Sequence, residues 1–253
     1  MIEFAEDLFY EESHVKFYGV PLLTRMAVVR LSGDRLFVYS PVYLSDEVRR
    51  AVNGLGTVAY IVEPNKIHNL AMAEWMEAYP HARTYAPPGL PERRPDLHFD
   101  ELLTPQPAAA WADELAHVLT AGNVFFSEAL FFHRKSGTVM VADFVENADK
   151  HTAPTYALIL SRPFGVLRRP TASPEFKMFT HDADALAASL APARAWPIQR
   201  IFLCHGKLIT EDAQATFNQV ADELIALAHK RSALFKRLTK KNGGEGIGDM
   251  NMG

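Results

Sequence analysis

Cysteine is nearly absent: Cys204 is the one thiol in 253 residues, so no intramolecular disulfide and no multi-cysteine zinc site can form. A reducing compartment is the default for such a chain, and the cytoplasm is the expected location. No stretch of eighteen apolar residues runs without a charge, the length a helix needs to cross the hydrocarbon layer. The opening MIEFAEDLFYEESH is acidic where an export signal needs a basic start and an apolar centre. An excess of positive charge is lacking too. Lys and Arg number 26 against 30 Asp and Glu, a net charge of -4, and binding to nucleic acid rests on clustered cations that neutralise phosphates. Neither a membrane nor nucleic acid is therefore expected as a partner; a small-molecule ligand is, and the oligomeric state is left open. Familiar phosphate and nucleophile motifs are missing as well. Gly54 and Gly56 precede a strand, whereas a dinucleotide site places its glycines between strand and helix. There is no P-loop, no Gly-x-Ser-x-Gly elbow and no His-Glu-x-x-His.

What is present is an ordinary globular composition, 48% apolar and 22% charged. Met26 to Leu31 and Leu36 to Tyr39 are β-branched and aromatic runs around Ser32-Gly33-Asp34-Arg35, the pattern of a hairpin. Ser45-Asp46-Glu47 caps a helix that ends at Asn53-Gly54, and a strand over 57–62 follows. Ile67, Leu70, Ala71, Trp75 and Met76 recur at helical spacing. The Pro-rich stretch from Thr84 to Pro107 predicts a long surface loop. A second hairpin spans 123–132 and 138–142, and a helix is expected near 155–160. Short helix 182–190, buried strand 198–204 and a long amphipathic helix from Thr210 complete the order. Strands thus come in two hairpin-rich blocks, 26–62 and 117–143, with one more before the last helix. That order predicts an α/β (α+β) protein of two packed sheets with helices outside. A single domain is expected over residues 1–238, followed by a disordered tail over 239–253.

Three polar residues share one topological position, just past the carboxyl end of an apolar strand: His68, Asp143 and His205. Two imidazoles and a carboxylate make a three-ligand site with an open place for water, the arrangement of hydrolytic zinc. A structural account competes at each, because turn and cap roles are common for His and Asp in such places. Glu128 lies on a strand face that period-two alternation buries, with His133 on the other, and a buried carboxylate needs a partner. Trp75, Tyr79, Trp111 and Trp196 read as core or loop anchors. The basic run Lys230 to Lys241 reads as a solvated helix end.

The phrases RMAVVRLSGDRLFVYSP, LGTVAYIVEPNKIHNL, EWMEAYPHARTYAPPGL, SEALFFHRKSGTVMVADFVEN and IFLCHG together resemble an uncharacterised bacterial family with a metallo-β-lactamase-like fold, over roughly residues 12 to 230. The resemblance implies a four-layer αββα sandwich whose metal-dependent members hydrolyse esters, amides, thioesters or phosphodiesters. Its metal motif, His-x-His-x-Asp-His, falls on Pro64 to Asn69. Pro64 and Lys66 replace the first two histidines, His68 stands at the aspartate and Asn69 at the third histidine. Asn123 takes the place of a further histidine, while Asp143 and His205 match the bridging aspartate and the last histidine. The motif is thus degenerate. Lys66 next to a divalent ion would repel it, a unit pair about 4 Å apart being worth about 4 kcal/mol at an effective dielectric near 20. The expected cofactor is at most one divalent metal (Zn, Fe or Mn) on His68, Asp143 and His205, which would also be the catalytic residues of a small-molecule hydrolase. The alternative is a metal-free binding or regulatory module, with Asn65, Lys66, Asn69, Asn123 and Asn147 facing an anionic or carbonyl ligand.

Overall fold

The computed structural model describes residues 1–17, 20–148 and 169–242. The first sheet has seven strands in sequence order: β1 (Ile2–Ala5), β2 (Leu8–Phe17), β3 (Val20–Leu31), β4 (Arg35–Tyr39), β5 (Thr57–Val62), β6 (Arg83–Ala86) and β7 (Glu101–Leu102). It is antiparallel from β1 to β4 and parallel from β4 to β7. The second sheet runs in the order β11-β10-β9-β8, with β8 (Leu115–Leu119), β9 (Ala129–His133), β10 (Thr138–Val141) and β11 (Arg200–Leu203). Here β10 and β11 are parallel, and β9 is antiparallel to both its neighbours. Helices α1 (Asp46–Leu55), α2 (Met72–Ala78) and α3 (Leu90–Arg93) belong to the first half. Helices α4 (Pro174–Phe179), α5 (Ala183–Arg194) and α6 (Ala213–Asn242) belong to the second.

Alternation along the strands explains the layers, because successive side chains point to opposite faces of a sheet. Met26, Val28, Leu36, Val38 and Ile61 pack outward with Val48, Val52, Met72 and Trp75 of α1 and α2. Their neighbours Ala27, Val29, Phe37, Tyr39 and Tyr60 face inward, against Phe131, Met140 and Phe202 of the other sheet. On the far side, Leu130, Phe132, Val139, Val141, Ile201 and Leu203 meet Leu186, Leu190, Phe217, Val220 and Leu224 of α5 and α6. Three separate apolar interfaces therefore join four layers, helix, sheet, sheet, helix, as the sandwich reading requires.

Local chemistry sets the ends of several elements. Ser45 Oγ accepts from Val48 N at 3.2 Å and caps α1; Asp182 does the same for α5 through Ala185 N. The Trp75 indole donates to Val42 O at 2.7 Å, tying α2 to the segment after β4.

Differences from the sequence reading have physical reasons. The Pro-rich stretch 84–107 is not one loop: it holds the end of β6, α3 and β7, with Pro91 inside the first turn of α3, where its missing N–H costs nothing. The second hairpin is shorter than read. Residues 123–128 are not strand, and β9 begins at Ala129 and pairs with the unread β8. Strands β1 and β2 also went unread, since the acidic start carries no clean apolar alternation. Helix α6 runs to Asn242. The helix expected near 155–160 lies outside the described residues.

Two glycines give opposite expectations. Gly206 has φ +96, and a Cβ there would sit 2.3 Å from Asn147 backbone atoms, whereas Gly54 in α1 has open space. Gly206→Ala should therefore cost at least about 2 kcal/mol, as left-handed strain adds to the clash. Gly54→Ala should instead stabilise by about 0.5–1 kcal/mol. Urea unfolding of both variants checks the pair, and equal effects would contradict it.

Candidate metal centre

Parallel pairing of β4 with β5, and of β10 with β11, places their carboxyl ends along one edge of the sandwich. Each contributes a polar residue there. Ser40 follows β4, Asn65 and His68 follow β5, Asp143 follows β10, and Cys204 and His205 follow β11. His68, Asp143 and His205 come together: one donor atom from each lies within 4.8 Å of the others. His205 Nε2 is 3.0 Å from His68 Nε2. The Asp143 carboxylate is 3.5 Å from His68 Nε2 and 3.9 Å from His205 Nε2.

Each donor is held from behind. His205 Nδ1 lies 2.8 Å from the Leu23 carbonyl; a carbonyl only accepts, so Nδ1 carries the hydrogen and Nε2 is left with a lone pair facing the cluster. His68 Nδ1 is 3.0 Å from Ser40 Oγ, which leaves its Nε2 on the same centre. Asn65 donates its amide to Asp143 Oδ2 at 2.7 Å. Its own oxygen accepts from Ile67 N and His68 N at 3.0 and 3.2 Å, an Asx turn that sets the loop carrying His68. Arg25, buried on β3, donates to the carbonyls of Leu203 and Gly206 and so grips the turn on which His205 stands. Ser40 has φ +54 despite its side chain, a strained conformation of the kind that functional sites accumulate.

Charge follows from this packing. Burial pulls the His68 imidazole down, but the Asp143 carboxylate outweighs it and raises His68 well above the usual histidine range. Burial and the neighbouring His68 charge lower His205 to about 4. Burial pushes Asp143 up, yet His68, His205 and the Asn65 amide leave it below the ordinary carboxylate range. Without a cation the cluster is thus imidazolium, carboxylate and neutral imidazole. Burial also pushes the Cys204 thiol up, against hydrogen bonds to His68 and Ser40.

The donor set fits a divalent ion. Two ligands about 2.0–2.1 Å from a tetrahedral zinc stand about 3.3 Å apart. The imidazole nitrogens are 3.0 Å apart, and Asp143 Oδ2 is 3.5 Å from His68 and Oδ1 3.9 Å from His205. With one atom per residue the set lies within 4.8 Å, so an ion would draw the donors together. Both imidazoles present Nε2 with Nδ1 fixed by an oxygen partner, the outer support that histidine ligands of metals have. The Lys66 ammonium, which the resemblance places at a ligand position, lies over the Phe125 ring, 4.7 Å from the centroid.

The other asparagines read as ligand-binding hydrogen-bond to neighbouring groups. Asn69 donates to Lys66 O at 2.7 Å and accepts from Arg94. Asn123 accepts from Phe125 N and Phe126 N and donates to Thr180. Asn147 donates to Lys207 O at 3.0 Å, bridging to the turn after β11. Ser40, Arg25 and the Leu23 carbonyl are the members that sequence reasoning missed. The one signal for Ser40 was its place between an apolar strand and Pro41. Glu128, fully buried, meets backbone amides rather than an arginine.

Comparison with known proteins agrees with this architecture. The family model described as domain of unknown function (DUF4336) matches residues 8–177. No curated protein matches the sequence. Among solved structures, the DIM-1 metallo-β-lactamase superposes with a TM-score of 0.60 at 13% identity, over 88% of this chain and 96% of that one. A metallo-β-lactamase from Pontibacter korlensis gives 0.58 at 7% identity, over 87% and 97%. The FIM-1 enzyme from Pseudomonas aeruginosa, in its mono-zinc form, gives 0.58 at 10% identity, over 88% and 95%. At these identities the likeness shows the fold, which is metallo-β-lactamase-like.

A pH test follows from His205. Its folded-state pKa lies near 4 against about 6.5 unfolded, so it contributes stability that is present above pH 6.5 and lost as pH falls toward 4. In metal-free protein, the stability advantage of wild type over His205→Gln should shrink steadily across that window in urea unfolding. A difference that does not change with pH would contradict the assignment.

Proposed function

The chain belongs to the family of that domain, DUF4336, and on that footing we propose that it is a small-molecule hydrolase holding one divalent metal ion through His68, Asp143 and His205. The observation that carries this reading is the convergence of three donor atoms within 4.8 Å, two of them imidazole nitrogens. Three protein donors leave one position of a tetrahedral ion for water, whose pKa a bound zinc lowers to about 7, so hydroxide is supplied at neutral pH.

The protein's own part is to hold those donors and to manage one proton. His68 is protonated in the metal-free site, so loading must displace that proton, and Ser40 Oγ is placed to keep the Nδ1 hydrogen bonded while Nε2 gives up its own. His205 needs no such change, since the Leu23 carbonyl already fixes its Nε2 as the free nitrogen. Tyr43, Leu70 and Val124, three large apolar side chains that are more than two-thirds exposed, lie on the segments leaving β4, β5 and β8 at the same edge. The two-imidazole, one-carboxylate set also suits ferrous iron, and elemental analysis distinguishes the two metals. The position of Lys66 on Phe125 favours the cation over a metal-free anion pocket.

Protein purified without chelator or metal-affinity tag should carry close to one equivalent of zinc, iron or manganese by elemental analysis. His205→Ala should lose it, and the exposed His229→Ala should keep it. Adding the metal at about 100 times its Kd should stabilise apo wild type by about 2.7 kcal/mol. Less than about a tenth of an equivalent, with no thermal shift on adding metal, would falsify the reading, because a ligand that binds only the native state must stabilise it.

A further inference from the structure

Glu128 is fully buried beside the centre and touches neither imidazole through a hydrogen bond. Its backbone is pinned first: Glu128 N donates to Thr120 Oγ1 at 2.8 Å and Glu128 O accepts from Thr120 N at 2.9 Å. The carboxylate then reaches across to the end of β10. Oε1 accepts from Ala142 N at 2.8 Å and Phe144 N at 3.2 Å, and Oε2 accepts from Asp143 N at 2.8 Å. Where a strand ends, consecutive amides lose their ladder partners, and buried ones must find others. One carboxylate collects three of them here.

The fourth donor links this device to the centre. The Asn65 amide nitrogen lies 3.3 Å from Glu128 Oε2 and 2.7 Å from Asp143 Oδ2. The same side chain fixes the His68 loop through its oxygen. Glu128 thus holds the backbone of Asp143 directly and shares with its carboxylate the amide that orients it. All four partners are N–H donors, which an acceptor-only carboxylate satisfies and a carboxamide cannot. With every oxygen engaged and no exposed surface, Glu128 has no free atom to offer a substrate.

We propose that Glu128, acting through Asn65 and the amides of Ala142 to Phe144, is the positioning residue that aims Asp143 at the two imidazoles and thereby sets the affinity of the centre for a divalent cation. This rests on the metal reading above and adds to it a residue outside the ligand set. Loss of comparable outer partners weakens metal binding by about 10–100-fold, and an effect of that size is expected.

The test is titration of apo protein with zinc by calorimetry, and with cobalt(II), whose visible absorption reports ligand number and geometry. Wild type, Glu128→Gln and Asn65→Ala are compared, with circular dichroism to check folding. Wild type should bind one ion. Folded Glu128→Gln should bind about 10–100-fold more weakly and give an altered cobalt spectrum, because a carboxamide turns one donor toward Asp143 N. Should Glu128→Gln fail to fold, Asn65→Ala carries the test, since it removes the shared amide while leaving the three backbone bonds. Wild-type affinity and an unaltered spectrum in the folded variants would overturn the positioning role alone. A wild type that binds no zinc and no cobalt would overturn the metal reading and this role with it.

Discussion

The structure near its functional edge depends on one buried carboxylate. Asp143 lies between two imidazoles with an amide at its back, and an isolated charge in that place would be prohibitively costly. Everything around it answers that cost. His68 stays protonated because Asp143 is there, His205 stays neutral because it is buried beside the charged His68, and the Asn65 amide binds Oδ2, the Asp143 oxygen that also faces His68. Glu128 lies on the other side of the same amide, where burial and the Asp143 charge push its carboxyl up to about 7. On the proposed reading, a divalent cation on the three donors would displace the His68 proton.

That carboxylate could not be held without the sandwich. Parallel pairing in both sheets delivers strand ends to one edge, and the apolar layer between the sheets fixes their separation. Phe37, Tyr39 and Phe131 meet edge to face or tilted in that layer, contacts that add to burial and make sliding of one sheet over the other costly. The site spans the two sheets, with His68 from one and Asp143 and His205 from the other. Any shift of the layers would open it. Asn65, which hydrogen-bonds on both sides, is the polar counterpart of that apolar lock.

Much of this was legible in the sequence, for specific reasons. Continuous β-branched and aromatic runs in MAVVRL, LFVY and TVMVA marked strands buried on both faces, and Ser45 and Asp182 marked helix starts. His68, Asp143 and His205 were legible because each follows an apolar strand. The supports were not. Arg25, Ser40 and the Leu23 carbonyl reach His68 and His205 from strands far away in sequence, and only tertiary pairing reveals such bonds. The orientation of Lys66 was equally hidden: the resemblance put it at a ligand position, while packing sends its ammonium to the face of Phe125. Strand β2 was missed because LFYEESHVKF is polar on positions that only its pairing with β3 organises.

The central claim is that two imidazoles and one carboxylate, and no further protein donor, surround a single ion. X-ray absorption at the zinc edge of the loaded protein reads this directly. The expected spectrum shows nitrogen and oxygen scatterers at about 2.0–2.1 Å with imidazole outer-shell features from two rings. A sulfur shell at about 2.3 Å would bring Cys204 into the coordination, and a metal–metal distance near 3.5–4 Å would show a second ion. Either result would contradict the account.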